Sequence, residues 1–363
     1  MRVVVGAVHG GDARRDAARY GIETESLLDC SANVDPCGPP DAVRDVVHWA
    51  AADPRRLSAY PTQRAYAQAC AAIALAVGVE SEAIVLGAGG AALIDAAVRF
   101  VDARAIVLPV PAFSEYQRAI AASGKSAIEC PLATDFSLDI QAFRNRLDAA
   151  TAGIVNTPHN PSGATLPRES LLGLLAACEE RGRDLLVDEA FIDYVPEGSI
   201  VAEASRSRRS LVIRSLTKFY ALAGIRVGYA VLHPDRARAL RAMLPSWPLG
   251  TLELEIARVL HLDEGYAMRT RARNELQREV LSAALRDLGV RVFPSSANFL
   301  LLELPCASLD PILKALVCEY GVVVRDCRSY RGLESRAMIR VAVLDAPSNV
   351  RLAAALRGAL GSA

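Results

Sequence analysis

Leu211-Val212-Ile213-Arg214-Ser215-Leu216-Thr217-Lys218-Phe219-Tyr220 decides how this chain is read. An apolar run of strand composition ends in hydroxyls and a lysine, and a second apolar run follows at 227–231. Lysine is scarce here. Of 41 basic residues only Lys125, Lys218 and Lys314 are lysines. Arginine stays protonated, whereas a lysine can lose its proton and attack a carbonyl. Lys314 sits in an amphipathic helical pattern and Lys125 follows Gly124 in a helix-to-strand turn, so both read as surface residues. Lys218, between two strands, needs another explanation.

Outward from this stretch the pattern alternates. Val-, Ile- and Leu-rich runs near 83–86, 105–108, 153–156, 184–187, 211–214 and 227–231 predict strands. Helical stretches at 90–101, 114–123, 138–149 and 166–181 separate most of them. This predicts an α/β fold with a mainly parallel sheet covered on both faces. Upstream, Asp41 reads as an N-cap, and Tyr60-Pro61-Thr62 breaks the chain before a helix at 63–77. After Pro234 helical pattern dominates to about 288. Strands follow near 298–303, 322–324 and 338–343, with helices at 308–319 and 346–359. The expected organisation is an irregular N-terminal arm (1–40), a large domain (41–245) and a smaller α+β domain (246–363).

Composition narrows the function. The chain has 363 residues, 52% of them hydrophobic, and zero formal net charge. That balance argues against nucleic-acid binding. No apolar stretch reaches membrane-span length. The eight cysteines show no C-x-x-C pair and no histidine cluster, so neither a metal site nor a disulfide framework is expected. The N-terminal apolar run is too short for a signal sequence, and the expected location is cytoplasmic.

Chemistry should gather where strands end, because parallel sheets bind ligands at their carboxyl edges. Gly87-Ala88-Gly89-Gly90-Ala91 joins a strand to a helix, as a phosphate cradle would. A dinucleotide site would need an acid closing the next strand, which instead ends Val107-Leu108-Pro109. The bland reading is a tight turn. Asn160, before Pro161, can donate to a ligand oxygen, or be an ordinary turn asparagine, and His159 reads as a turn residue. Asp188 closes an apolar strand, which is costly unless the acid is paired. Its bland reading is a helix cap, and that of Lys218 is an ion pair with Asp188. Ser215, Thr217 and Arg226 could complete the cradle. Phe113 could stack on a ring or simply pack in the core.

Asn160-Pro161, Asp188-Glu189-Ala190, Ser215-Leu216-Thr217-Lys218 and Gly224-Ile225-Arg226-Val227-Gly228, in this order, resemble the class I/II pyridoxal-phosphate (PLP) enzymes of fold type I. The likeness spans about residues 9 to 359. It implies a large domain with a mainly parallel seven-stranded sheet and a smaller α+β C-terminal domain. It further implies that Lys218 carries the cofactor as an imine, that Asp188 pairs with the pyridine nitrogen and that Asn160 meets the ring 3-oxygen. Phe113 would stack on the ring, and Gly89, Gly90, Ala91, Ser215, Thr217 and Arg226 would hold the phosphate. Tyr60 would reach the phosphate of a second subunit, implying a homodimer. Arg340 would bind the substrate carboxylate. Arg325, Arg328 and Arg340, with His9 and Asn33, are candidates for a substrate phosphate.

The opening His9-Gly10-Gly11 and Asp188-Glu189-Ala190-Phe191-Ile192-Asp193 resemble the histidinol-phosphate aminotransferase branch, and within it the L-threonine-O-3-phosphate decarboxylases of cobalamin biosynthesis. Two positions depart from the branch. The loop after Gly89 lacks the usual acid and hydroxyl side chains, leaving backbone donors. Position 191 is Phe where transaminases of the branch have Tyr, so the ring oxygen loses a hydroxyl partner.

Overall fold

Strand ends set the layout of this computed structural model, which describes residues 10–22 and 27–361. The strands are β1 (Leu28–Asp29), β2 (Ile84–Gly87), β3 (Ala105–Val110), β4 (Ser126–Pro131), β5 (Ala152–Asn156), β6 (Asp184–Asp188) and β7 (Ser210–Ser215). They continue as β8 (Gly228–Val231), β9 (Arg291–Val292), β10 (Phe299–Glu303), β11 (Val322–Val323), β12 (Arg325–Asp326) and β13 (Met338–Ala342). A seven-stranded sheet has the order β2-β8-β7-β6-β5-β3-β4. Only β8 runs against the rest.

Alternate residues feed two cores, as a sheet covered on both faces requires. Leu185 and Val187 of β6 join one core, and Leu186 joins the other. The central strands β6 and β7 are buried throughout. Helices Gln63–Val77 and Arg168–Arg181 pack on one face; Gly89–Phe100 and Ser114–Ala122 pack on the other. Each helix of the first pair stops at a glycine with positive φ, Gly78 and Gly182, where a side chain would strain the backbone.

β4 is a strand that hydrophobic pattern did not reveal. It is the edge of the sheet, pairing only with β3, and most of its residues are partly open to solvent. Asp41 does not cap its helix: Pro40 holds the N-cap position, without a side-chain cap bond, and Asp41 opens the first turn.

The second sheet has the order β12-β13-β10-β9 and is antiparallel. Helices Leu309–Cys318 and Ala346–Gly361 bury against it. The N-terminal arm is more regular than its composition suggests. Helix Ala13–Ala18 and β1 lie in it, β1 pairs in parallel with β11, and Cys30 joins the smaller core. Leu249, Leu254, Ile256 and Tyr266 belong to the core of the large sheet, so by packing the passage between the two cores falls within helix Glu264–Arg286. No helix among the described residues is long and apolar enough to cross a membrane.

Candidate active site

The reversed strand β8 explains where the site is. β2, β3, β5, β6 and β7 run the same way, so their carboxyl ends share one edge. β8 begins at that edge, with Gly228 opposite both Gly87 and Ser215. The segment between β7 and β8, carrying Lys218 and Arg226, is therefore held over the ends of the other strands. The small domain and the arm close the opposite side. The result is a cleft of ≈ 500 Å³, lined among others by Asn33, Gly90, Phe113, Asp188, Lys218 and Arg340.

Lys218 lies partly buried on the cleft floor. Burial lowers its pKa to about 8, and the cations of Arg340 and Arg226 push the same way. Among the described residues its amine makes no hydrogen bond or ion pair, so the ion pair with Asp188 considered from sequence does not form. A lysine held over a cleft, pushed toward its neutral form and otherwise unengaged is poised as a nucleophile.

Asp188 ends β6 beside Asn156, its register partner. It is 4% exposed. Its Oδ1 accepts from the Ala190 amide at 2.9 Å, and Oδ2 accepts from the Tyr116 hydroxyl at 2.5 Å. Burial raises the carboxyl to about 6 against the pull of these two donors. The next acid has a different fate. Glu189 pairs with Arg214 at 3.0 Å, both buried, and accepts from the Ile200 amide.

The rest of the 156–163 turn shapes this floor. Asn156 accepts from the Asn160 amide at 2.7 Å and donates to the Asp188 carbonyl at 2.9 Å. His159 is spoken for: one ring nitrogen meets Ser162 Oγ at 2.7 Å, the other the Pro111 carbonyl at 2.9 Å. Burial drops its pKa to about 4, so it is a neutral brace. Asn160 faces the cleft, and its Oδ1 accepts from Arg340 Nη1 at 2.6 Å.

At the other end of the floor, helix Gly89–Phe100 begins with Gly90 and Ala91 on the cleft wall. Ser215 and Thr217 stand opposite, with their hydroxyl oxygens 2.7 Å apart. Arg226 closes the cradle. Gly89 has φ +81°, and a Cβ there would fall 2.8 Å from Arg226 Nη2, so glycine is needed for both backbone and guanidinium. Two hydroxyls, free helix amides and an arginine form an anion site.

The far wall carries more cations. Arg340, from β13, is 6% exposed; besides Asn160 it donates to the Ser31 carbonyl at 3.0 Å and stands 5.3 Å over the Phe299 ring. Arg325, from β12, is 7% exposed and donates to Ser329 Oγ at 2.6 Å. Asn33, with its amide oxygen turned to Arg340, accepts from that guanidinium at 3.1 Å. Arg328 is drawn away into ion pairs with Asp326 and Asp310. His9 lies outside the described residues. Tyr60 does not line the cleft of its own chain; it is 75% exposed and stacks on Trp247 at 4.4 Å.

Sequence reasoning missed two site residues. Tyr116 and Tyr330 both line the cleft, and Tyr330 donates to Asn160 Oδ1 at 3.2 Å. Tyr116 lies three positions after Phe113 on a helical pattern, which was the available signal; Tyr330 had none. Phe191, as its missing hydroxyl implies, makes an apolar contact, edge-on to Phe299 at 5.0 Å.

The residues fit PLP. A lysine amine with no partner among the described residues, a buried acid, a facing aromatic and an anion cradle lie in one cleft, matching an aldehyde, a ring nitrogen, a ring face and a phosphate. The family model of aminotransferase class I and II matches residues 27–356. Threonine-phosphate decarboxylase of Salmonella typhimurium is 32% identical over 98% of this chain and 97% of its own length. Histidinol-phosphate aminotransferase of Methanocella arvoryzae is 29% identical over 98% of this chain and 96% of its own. Histidinol-phosphate aminotransferase from Sinorhizobium meliloti, solved with pyridoxal-5'-phosphate, shares the fold with a TM-score of 0.87 at 21% identity, covering 99% of this chain and 96% of that one. The chain belongs to the class I and II aminotransferase family and is a PLP-dependent enzyme.

Proposed function

We propose that the enzyme decarboxylates L-threonine O-3-phosphate to (R)-1-aminopropan-2-yl phosphate, the aminopropanol arm of cobalamin. The observation carrying this reading is the pair of buried arginines, Arg325 and Arg340, on the wall facing Lys218, taken with the near full-length likeness to the Salmonella decarboxylase. A phosphorylated amino acid presents two anions, and two fixed guanidinium groups suit them.

The cofactor, when bound, supplies an electron sink for the bond broken at Cα. Lys218 holds it covalently, with Gly90, Ala91, Ser215, Thr217 and Arg226 on its phosphate. Phe113 covers the ring face, and Asp188 keeps the ring nitrogen protonated. Asn160, fixed by Arg340 and Tyr330, aims its amide at the ring oxygen. Arg340 and Arg325, with Asn33, would orient the substrate so that its carboxylate, rather than its Cα hydrogen, is the group lost; His9, outside the described residues, would be a further partner. Lys218, with its depressed pKa, would hold the proton that Cα takes up. Tyr60, exposed and outside its own cleft, serves the phosphate of a partner subunit in a homodimer.

The likeness to the Methanocella enzyme favours a second reading, transamination of histidinol phosphate. One experiment separates them: PLP-loaded enzyme with L-threonine O-3-phosphate and no keto acid, following carbon dioxide. Sustained release over many turnovers is expected. No release, with turnover of histidinol phosphate once 2-oxoglutarate is added, would establish the transaminase instead.

A further inference from the structure

Tyr116 makes a buried contact with Asp188 that no sequence motif accounts for. It lies in the first turn of helix Ser114–Ala122 and is 2% exposed. Its hydroxyl reaches Asp188 Oδ2. With the Ala190 amide on Oδ1, each carboxylate oxygen has one neutral donor, and among the described residues no cation is paired with it. Burying a carboxylate on neutral donors alone is expensive, so losing either donor matters.

The phenol is also well placed to be a fixed donor. Its ring is packed edge-on against Phe113, with centroids 5.7 Å apart and planes at 86°. Burial and the neighbouring carboxylate keep it well above the usual phenol range, so it stays protonated. Phe113 and Tyr116 are three residues apart, which puts the aromatic wall and the acid's donor on one helical turn. Among the described residues no other group substitutes. Glu189, next to Asp188, is anionic and tied to Arg214. His159 is neutral and occupied at both nitrogens. Tyr330 and Arg340 bond to Asn160 from the small domain, and Lys218 makes no bond to the acid.

We propose that Tyr116 is a positioning residue for Asp188: its hydroxyl stabilises the carboxylate form and leaves the remaining lone pairs turned into the cleft, so that the acid meets the cofactor nitrogen as an anion. The proposal rests on the reading of Asp188 as that nitrogen's partner. Tyr116 touches neither cofactor nor substrate in this role; it acts through Asp188.

The test uses four apoenzymes: the parent, Tyr116→Phe, Asp188→Asn and the double variant. The dissociation constant of PLP is measured from pH 5 to 9, and thermal unfolding of each is recorded. The cofactor's own ionisations are common to all four. In the parent, affinity should fall as pH drops through about 6, where Asp188 takes up a proton. Removing a donor to the anion raises the Asp188 pKa, so in Tyr116→Phe the midpoint should move up by about one pH unit or more. For a one-unit shift, affinity near pH 6.5 should then fall about threefold, and hardly at all at pH 8.5. In the Asp188→Asn background the Tyr116→Phe change should leave the pH profile alone. An unchanged midpoint in Tyr116→Phe, or an equal loss at every pH in both backgrounds, overturns the proposal and leaves Tyr116 a packing residue. If Asp188→Asn itself leaves affinity and its pH profile unchanged, the reading of Asp188 falls, and the proposal with it.

Discussion

The two walls of the cleft are built differently. On the sheet side, Asp188 and Ser215 close buried, register-paired strands, and Asn160 and Lys218 lie within four residues of such strand ends. On the other side, Arg325 and Arg340 come from a separate small sheet and are held by side-chain bonds to Ser329, Ser31 and Asn160. The first wall cannot shift without disturbing a core packed on both faces. The second can change its cations while the fold stands. On the proposed reading, the difference separates where reaction chemistry would be stored from where substrate choice would be stored.

The sharpest test of the division is Lys218→Ala. It should lower turnover by about a thousandfold or more and remove the visible absorbance of the lysine-linked cofactor. Retained colour and activity would break the comparison at its root. Arg340→Ala, on the other wall, should raise KM by about a hundredfold, since a buried charged partner is lost, while the lysine-linked cofactor stays bound. Steady-state kinetics beside an absorbance scan would read both. A collapse of kcat at unchanged KM would mean that Arg340 belongs with the chemistry.

A third test is pH. Lys218 is neutral above about 8 and protonated below it. Only the neutral amine attacks, so capture of PLP by the apoenzyme should speed up about tenfold per pH unit until about 8 and then level off. Stopped-flow absorbance would show a plateau near 10.5 instead if the lysine were unperturbed. The smallest effect is expected at Arg328, whose partners Asp326 and Asp310 leave it partly exposed to solvent. Arg328→Ala should change stability by no more than about 1 kcal/mol in a denaturant titration, and leave KM unchanged.

The same contrast governs what the sequence could reveal. The sheet-side groups stand at the ends of apolar runs, and a polar residue closing such a run is visible in one dimension. That is why Asp188, Lys218 and the Gly89 loop could be found. Tyr116 faces inward at helical spacing, where an aromatic looks like core. Tyr330 follows a short 3-10 turn with no periodicity to break. β4 escaped because an edge strand is under less pressure to be apolar on both faces. Arg325 and Arg328 looked alike in sequence; the burial of the first and the acids folded beside the second separate them. The arm's pairing with β11 joins residues nearly the whole chain apart, and no local pattern records that.

The reversed strand also bears on how the chain comes to be finished. β2 touches the sheet only through β8, which is made 141 residues later in the chain (228 − 87). Until that late strand arrives, Gly89 has no Arg226 beside it, and its carbonyl carbon, 3.0 Å from where a Cβ on Gly228 would sit, has no Gly228 packed on it. The phosphate cradle thus exists only after the longest loop of the large sheet has closed. A ligand that binds only the completed state pulls the population toward it by mass action. Vitamin supply would then set how much of this enzyme is fully folded, as well as how much of it is active.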